Sequence, residues 1–274
     1  MNPEPTRVAP PVIGRCRASD GPVLTAAPGG VEKPFLVDGA LRAGDKLVTR
    51  EGGAATVKFT DGTVLMIGGD SAAVIDAFAY ESDSEDDAAC LDLSMGTFVL
   101  ETGDLAIAAD TFLVVSGDST MTLRGARIAV RVDPLGYDMV TLLPPRLGPL
   151  GEVLVHNKIG VQMLNRGYQT LRLGGGDADI PAPLTLPSNV VRETYGGAGI
   201  DNALLADDVA AEDVSETFQP FRTLPDRFLE RQFIARQVFP GDGAQETGDG
   251  DAFLEDAFDG TRFRLGDPDP ETSS

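Results

Sequence analysis

His156 is the only histidine in 274 residues, so any imidazole base in this chain must be His156. It closes the alternating run Val153-Leu154-Val155-His156, where a structural or solvent-facing histidine is the natural reading. Gly69-Asp70-Ser71 and Gly117-Asp118-Ser119 have the outline of a Gly-Asp-Ser hydrolase nucleophile. That chemistry also needs an acid and a histidine placed near the C-terminus, and no histidine follows His156. The chain contains no Gly-x-Ser-x-Gly elbow, P-loop or His-Glu-x-x-His motif. Gly196-Gly197-Ala198-Gly199 lacks the preceding strand and the glycine spacing of a dinucleotide loop. These residues point to a non-enzymatic protein with no cofactor.

Two other groups could bind an ion or a partner. Glu81-Ser82-Asp83-Ser84-Glu85-Asp86-Asp87 holds five acids in seven residues, which no packed strand would accept, so it is an exposed loop. Calcium would be its chemistry, with Asp83, Glu85, Asp86 and Asp87 as oxygen ligands, although the fixed spacing of known calcium loops is missing. Near the other end, residues 226–239 follow Pro225 and read as a helix. Phe228, Leu229 and Phe233 form its apolar stripe, and Arg227, Arg231 and Arg236 its charged face. That makes Arg227, Phe228, Arg231, Phe233 and Arg236 the partner-contact candidates; the same helix could instead cover the open end of its own β structure.

Bulk properties narrow the classes further. Lys and Arg number 22 against 43 Asp and Glu, a formal charge of −21. Nucleic acid and anionic membrane surfaces both call for clustered cations, so neither is expected as a partner. Solubility is the plainest use of such a charge. No stretch approaches the ~20 apolar residues of a spanning helix, and Met1 to Arg7 lacks a charged-then-apolar leader pattern. Cys16 and Cys90 have no CxxC spacing, which argues against zinc or a redox pair; they stand either as two free buried thiols or as one disulfide.

The elements that would position these residues are short strands. With 32 glycines and 19 prolines, turns are frequent and long helices few. Val57 and Phe59 alternate with Thr56, Lys58 and Thr60, a half-buried strand that ends in the Asp61-Gly62 turn. Val64-Leu65-Met66-Ile67 is apolar on both faces and reads as a strand covered on both sides. Arg127-Ile128-Ala129-Val130-Arg131-Val132 is the cleanest alternation, with Ile128, Val130 and Val132 inward and both arginines outward. Residues 111–119 echo residues 63–71, with five of nine positions identical. Either two equivalent strand-turn units stack as neighbouring layers, or Gly-Asp-Ser is a common turn after a buried strand.

Gly44-Asp45, Val48-Thr49, Phe59-Thr60-Asp61-Gly62-Thr63 and Gly68-Gly69-Asp70-Ser71 together resemble the FecR-type domain of bacterial proteins. Arg124-Gly125-Ala126 stands where that family usually shows Arg-Gly-Thr, and Gly151-Glu152-Val153-Leu154-Val155 is similar to its closing strand. The resemblance runs over residues 36–173 and implies an all-β, solenoid-like stack of short strands. In the namesake this domain is the extracytoplasmic sensing half of a membrane-spanning regulator. The namesake's anchor and N-terminal sigma-factor-binding segment are not visible here, so its signalling role does not carry over directly.

The expected plan is a disordered arm at 1–30, a FecR-like β domain at 31–175 and a linker at 176–199. A helical segment at 200–240 and an acidic disordered tail at 241–274 follow. That tail carries ten acids and two arginines; it reads as a solubilising tail or an export signal. The expected function is a non-enzymatic β scaffold that binds another macromolecule, a protein above all, or serves a cell-surface or exported assembly. The alternative is a sensing or regulatory module that has lost its sigma-factor-binding segment. Leaderless export to the surface or medium is the expected location, with the cytoplasm as the alternative.

Overall fold

The computed structural model describes residues 10–81, 87–108, 111–174 and 179–196. Its strands follow the alternation of the sequence. In chain order they are β1 (Val12–Asp20), β2 (Val23–Ala26), β3 (Lys33–Pro34), β4 (Ala40–Arg42), β5 (Lys46–Thr49), β6 (Ala54–Phe59), β7 (Val64–Ile67), β8 (Ala72–Ala79) and β9 (Ala88–Glu101). A single-turn helix, α1 (Leu105–Ala108), separates these from β10 (Phe112–Ser116), β11 (Ser119–Arg124), β12 (Arg127–Val132) and β13 (Asp138–Leu143). Then come β14 (Glu152–His156), β15 (Val161–Leu164), β16 (Gln169–Leu173), β17 (Leu184–Thr185) and the helix α2 (Ser188–Tyr195). The described residues are thus mostly β, as expected.

Two sheets share one strand. The first runs β4–β1–β6–β7–β9–β12–β13–β16–β17, the second β3–β2–β5–β8–β9–β10–β11–β14–β15. Every pairing is antiparallel except β9 with β10. The early residues of β9 pair in the second sheet and its late residues, from Gly96 on, in the first. Gly96 makes that passage possible. Its φ is +105°, and an added Cβ would lie 2.0 Å from the Ser71 hydroxyl, so both conformation and space demand glycine there.

The inner faces of both sheets meet in one core. Val57, Phe59, Leu65, Ile67, Phe98, Leu100, Ile128 and Val130 come from the first sheet. Ile75, Phe78, Leu91, Phe112, Val114, Met121, Val153 and Val155 come from the second. Phe59 and Phe78 stack across the gap with ring centroids 4.9 Å apart. At one end the Ser116 hydroxyl donates to Asp138 Oδ2, fastening β10 to β13 across the two sheets.

Several expectations change. The proline-rich opening, expected as an arm over residues 1–30, supplies β1 and β2, and Ile13, Cys16 and Val23 are core residues. The expected linker contains β17 and α2. Residues 63–71 and 111–119 are not neighbouring layers: β7 lies in the first sheet and β10 in the second, each beside a different part of β9. Their turns differ as well, with the positive φ at Asp70 in the first and at Gly117 in the second. Residues 200–240 and 241–274 lie outside the described residues.

Candidate interaction surface

The residues singled out for chemistry are mostly holding turns. Ser71 is buried; its hydroxyl donates to Gly69 O at 3.0 Å and accepts the Thr97 amide at 3.0 Å. The Thr49 hydroxyl donates to Gly68 O and accepts the Ser71 amide. Ser119 is buried on the core side of β11, beside Met121 and Leu123. His156 pairs with Thr120, on the opposite face of the second sheet. That register keeps Ser119 and His156 apart. Burial pushes the imidazole below its ordinary pKa.

Asp61, Gly62 and Thr63 form a second staple. The Asp61 carboxylate accepts the Thr63 amide at 2.9 Å and the Thr63 hydroxyl at 2.7 Å, and also takes the Leu105 amide at the start of α1. Thr63 Oγ1 in turn accepts the Gly103 amide at 2.8 Å. Asp45 likewise accepts the Arg42 amide at 2.8 Å. Where β11 passes to β12, the Gly125 amide donates to Ala106 O and the Ala126 carbonyl accepts from Thr102. Cys16 is a fully buried thiol outside any disulfide, and that burial raises its pKa.

Three of the four calcium candidates, Asp83, Glu85 and Asp86, lie outside the described residues, while the Asp87 carboxylate, nearly buried, accepts the Glu81 amide. Among the described residues no group of three or more acids, cysteines and histidine is placed to hold a metal ion. Arg227, Phe228, Arg231, Phe233 and Arg236 also lie outside the described residues.

The outer face of the first sheet offers a surface instead, and only the tertiary structure reveals it. One half is covered by α2, whose Val191 and Tyr195 pack on Val99, Ala129 and Leu143. The Tyr195 hydroxyl lies 2.8 Å from Thr141 Oγ1, which lies 2.7 Å from Thr170 Oγ1. Arg131 Nη1 donates to Thr194 O. This cover explains why Ala129 is buried although it points away from the core. Pro187-Ser188, the i, i+4 pair Val191/Tyr195 and the stop at Gly196 were the available helix signals.

The other half, over β1, β6 and β7, lies beyond α2. A row of directly paired residues crosses it: Arg15 opposite Lys58, Lys58 opposite Val64, Val64 opposite Glu101, and Glu101 opposite Arg127. Arg15 and Lys58 are exposed, and Val64 and Met66 half-buried. Glu101 Oε2 sits 3.8 Å from Arg127 Nε and 3.7 Å from Arg146 Nε. Arg127 also donates to Pro144 O at 3.0 Å, and burial lowers its pKa against the opposing pull of Glu101.

The same strands carry a family signature. Residues 45–141, from β5 through β13, match the family model described as FecR protein. The chain carries a FecR domain. The match falls inside the 36–173 span that the motifs outlined. A search of curated proteins finds no match. Two solved structures of a candidate anti-sigma factor from Parabacteroides distasonis ATCC 8503 are similar over 55% of this chain at 15% identity, with TM-scores of 0.41 and 0.42. This chain spans 65% and 64% of the length of those two chains. Among the described residues no helix is long and apolar enough to cross a membrane.

Proposed function

We propose that this chain is a regulatory, non-enzymatic FecR-type module that acts by binding another protein. The observation that carries the reading is how the signature polar residues are used. Thr49, Asp61, Thr63 and Ser71 spend their hydrogen bonds on turns and strand crossings. A polar set committed in this way builds a rigid body, and its outward faces are what remains for recognition. The FecR match over 45–141 supports the regulatory part, since a sensing role is what the resemblance implies. In this reading the solenoid-like stacking expected of such sequences corresponds to strands added outward from β9 on both sides. The second reading is a scaffold in a cell-surface or exported assembly.

Deletion of the gene followed by transcript profiling and cell fractionation separates the readings. A regulatory module changes a small set of transcripts, restored by the wild-type chain and equally by His156→Gln. Unchanged transcripts with loss of an envelope or secreted assembly would favour the scaffold. Failure of folded His156→Gln to restore function would point to chemistry at the one imidazole and overturn the non-enzymatic reading.

A further inference from the structure

We propose that the half of the first sheet's outer face not covered by α2 is a docking strip for an acidic, amphipathic segment of a partner protein. This rests on the protein-binding reading above and adds the chemistry of the partner. Its starting point is a local conflict. Arg15 and Lys58 stand directly opposite each other on antiparallel strands. Like charges in that position cost on the order of 0.2–1 kcal/mol. Among the described residues no acid lies within ion-pair distance of either: Arg15 donates to the carbonyl of Asp38 at 3.0 Å. Yet acids outnumber cations 43 to 22 in this chain, so an acidic neighbour was statistically the easier choice.

The conflict belongs to a larger segregation. Along the row, the exposed Arg15 and Lys58 and the buried Arg127 share a single acid, Glu101, which sits between the Arg127 and Arg146 guanidinium groups; the other acid on this face, Asp20, lies toward the far end of β1, opposite Ala54. Arg17 adds another exposed cation where the β1 register shifts. Val64 supplies half-buried apolar surface directly beside Lys58, and Met66 continues it to the Val99–Tyr195 cluster at the edge of the strip. Exposed cations beside a half-buried apolar residue are the complement of a segment that alternates carboxylates with apolar side chains. A polyanion such as nucleic acid is disfavoured by the field of a chain at −21. A few carboxylates meet the local cations within a Debye length of roughly 10 Å, where that wider field is screened.

The test uses the full chain in its native cells, with a photo-reactive benzoylphenylalanine at Thr56 on this face or at Thr120 on the outer face of the second sheet. The expected result is an adduct from Thr56 whose partner peptide belongs to another protein and carries more Asp and Glu than Lys and Arg. Lys58→Glu should cut that adduct about 10-fold, while its new pairing with Arg15 leaves the thermal midpoint unchanged or higher. Three results overturn the proposal: an adduct indifferent to Lys58→Glu, one on a basic segment, or one on this chain's own residues. Adducts with another protein from Thr120 alone would discard this face and keep the protein-binding reading. No adduct with another protein from either position would remove both.

Discussion

At the scale of single residues, Asp61 shows how the signature works. Its carboxylate is buried, and burial pushes its pKa above the ordinary carboxylate value even though donors from Thr63, Leu105 and its own amide converge on it. An ion held that way loses little to solvent and much to truncation, because Thr63 and Leu105 would keep donors with no acceptor. Asp61→Ala should therefore cost about 3 kcal/mol in urea unfolding, with the β spectrum retained. Asp61-Gly62 was legible as a turn from local chemistry alone, and Gly62, at φ +92°, is one. Its bonds to the start of α1 were not legible, because the partner lies far along the chain. The same holds for Arg15 and Lys58. Each reads as an ordinary exposed cation until the β1–β6 register sets them face to face.

At the scale of elements, β9 is the strand on which both sheets depend. It is 14 residues long, and its sequence alternates on either side of Gly96. Alternation from Phe98 to Glu101 was visible, but a passage between sheets leaves no periodic mark. Gly96→Ala is expected to force a positive φ and a clash with Ser71 together. We expect a loss of roughly 4 kcal/mol or more, or failure to fold, read as a shifted denaturation midpoint or loss of soluble protein. The helix α2 escaped for a different reason. Asn189, Val190, Val191 and Thr194 are indifferent helix formers, and prolines surround the segment. What holds it is Val191 and Tyr195 packed on an outer sheet face, which local propensity does not record. The opening strands were missed because proline and glycine around them read as loop, whereas pairing with β6 and β5 places them in the sheets.

At the scale of the whole molecule, charge and burial set the response to pH. Asp45, Asp61 and Asp92 all titrate above the ordinary 3.8 in the folded chain, chiefly through burial; at Asp92 the charge of Asp76 adds to it. As pH falls, the folded form takes up these protons before the unfolded chain does. Stability therefore rises on acidification toward the window just above 3.8. Release of self-repulsion from the −21 charge acts in the same direction. His156 opposes it: burial lowers its pKa, so below 6.5 the unfolded chain protonates first. The two effects fall in different windows, the imidazole's as pH drops through 6.5 and the carboxyls' toward 3.8. The change in thermal midpoint from about pH 7.5 to about pH 5 should be more favourable in His156→Gln than in the wild-type chain.

Side-chain alternation and turn residues by themselves determined that this chain is built of short strands, which faces are apolar, and that its motifs resemble a FecR-type domain. Those are properties of neighbouring residues, and period-two burial writes them directly into the order of amino acids. Which strands pair, how β9 serves two sheets, and that α2 covers one half of an outer face were decided only by the tertiary structure. Contacts between distant residues follow from register and packing, and neither leaves a local imprint in the chain.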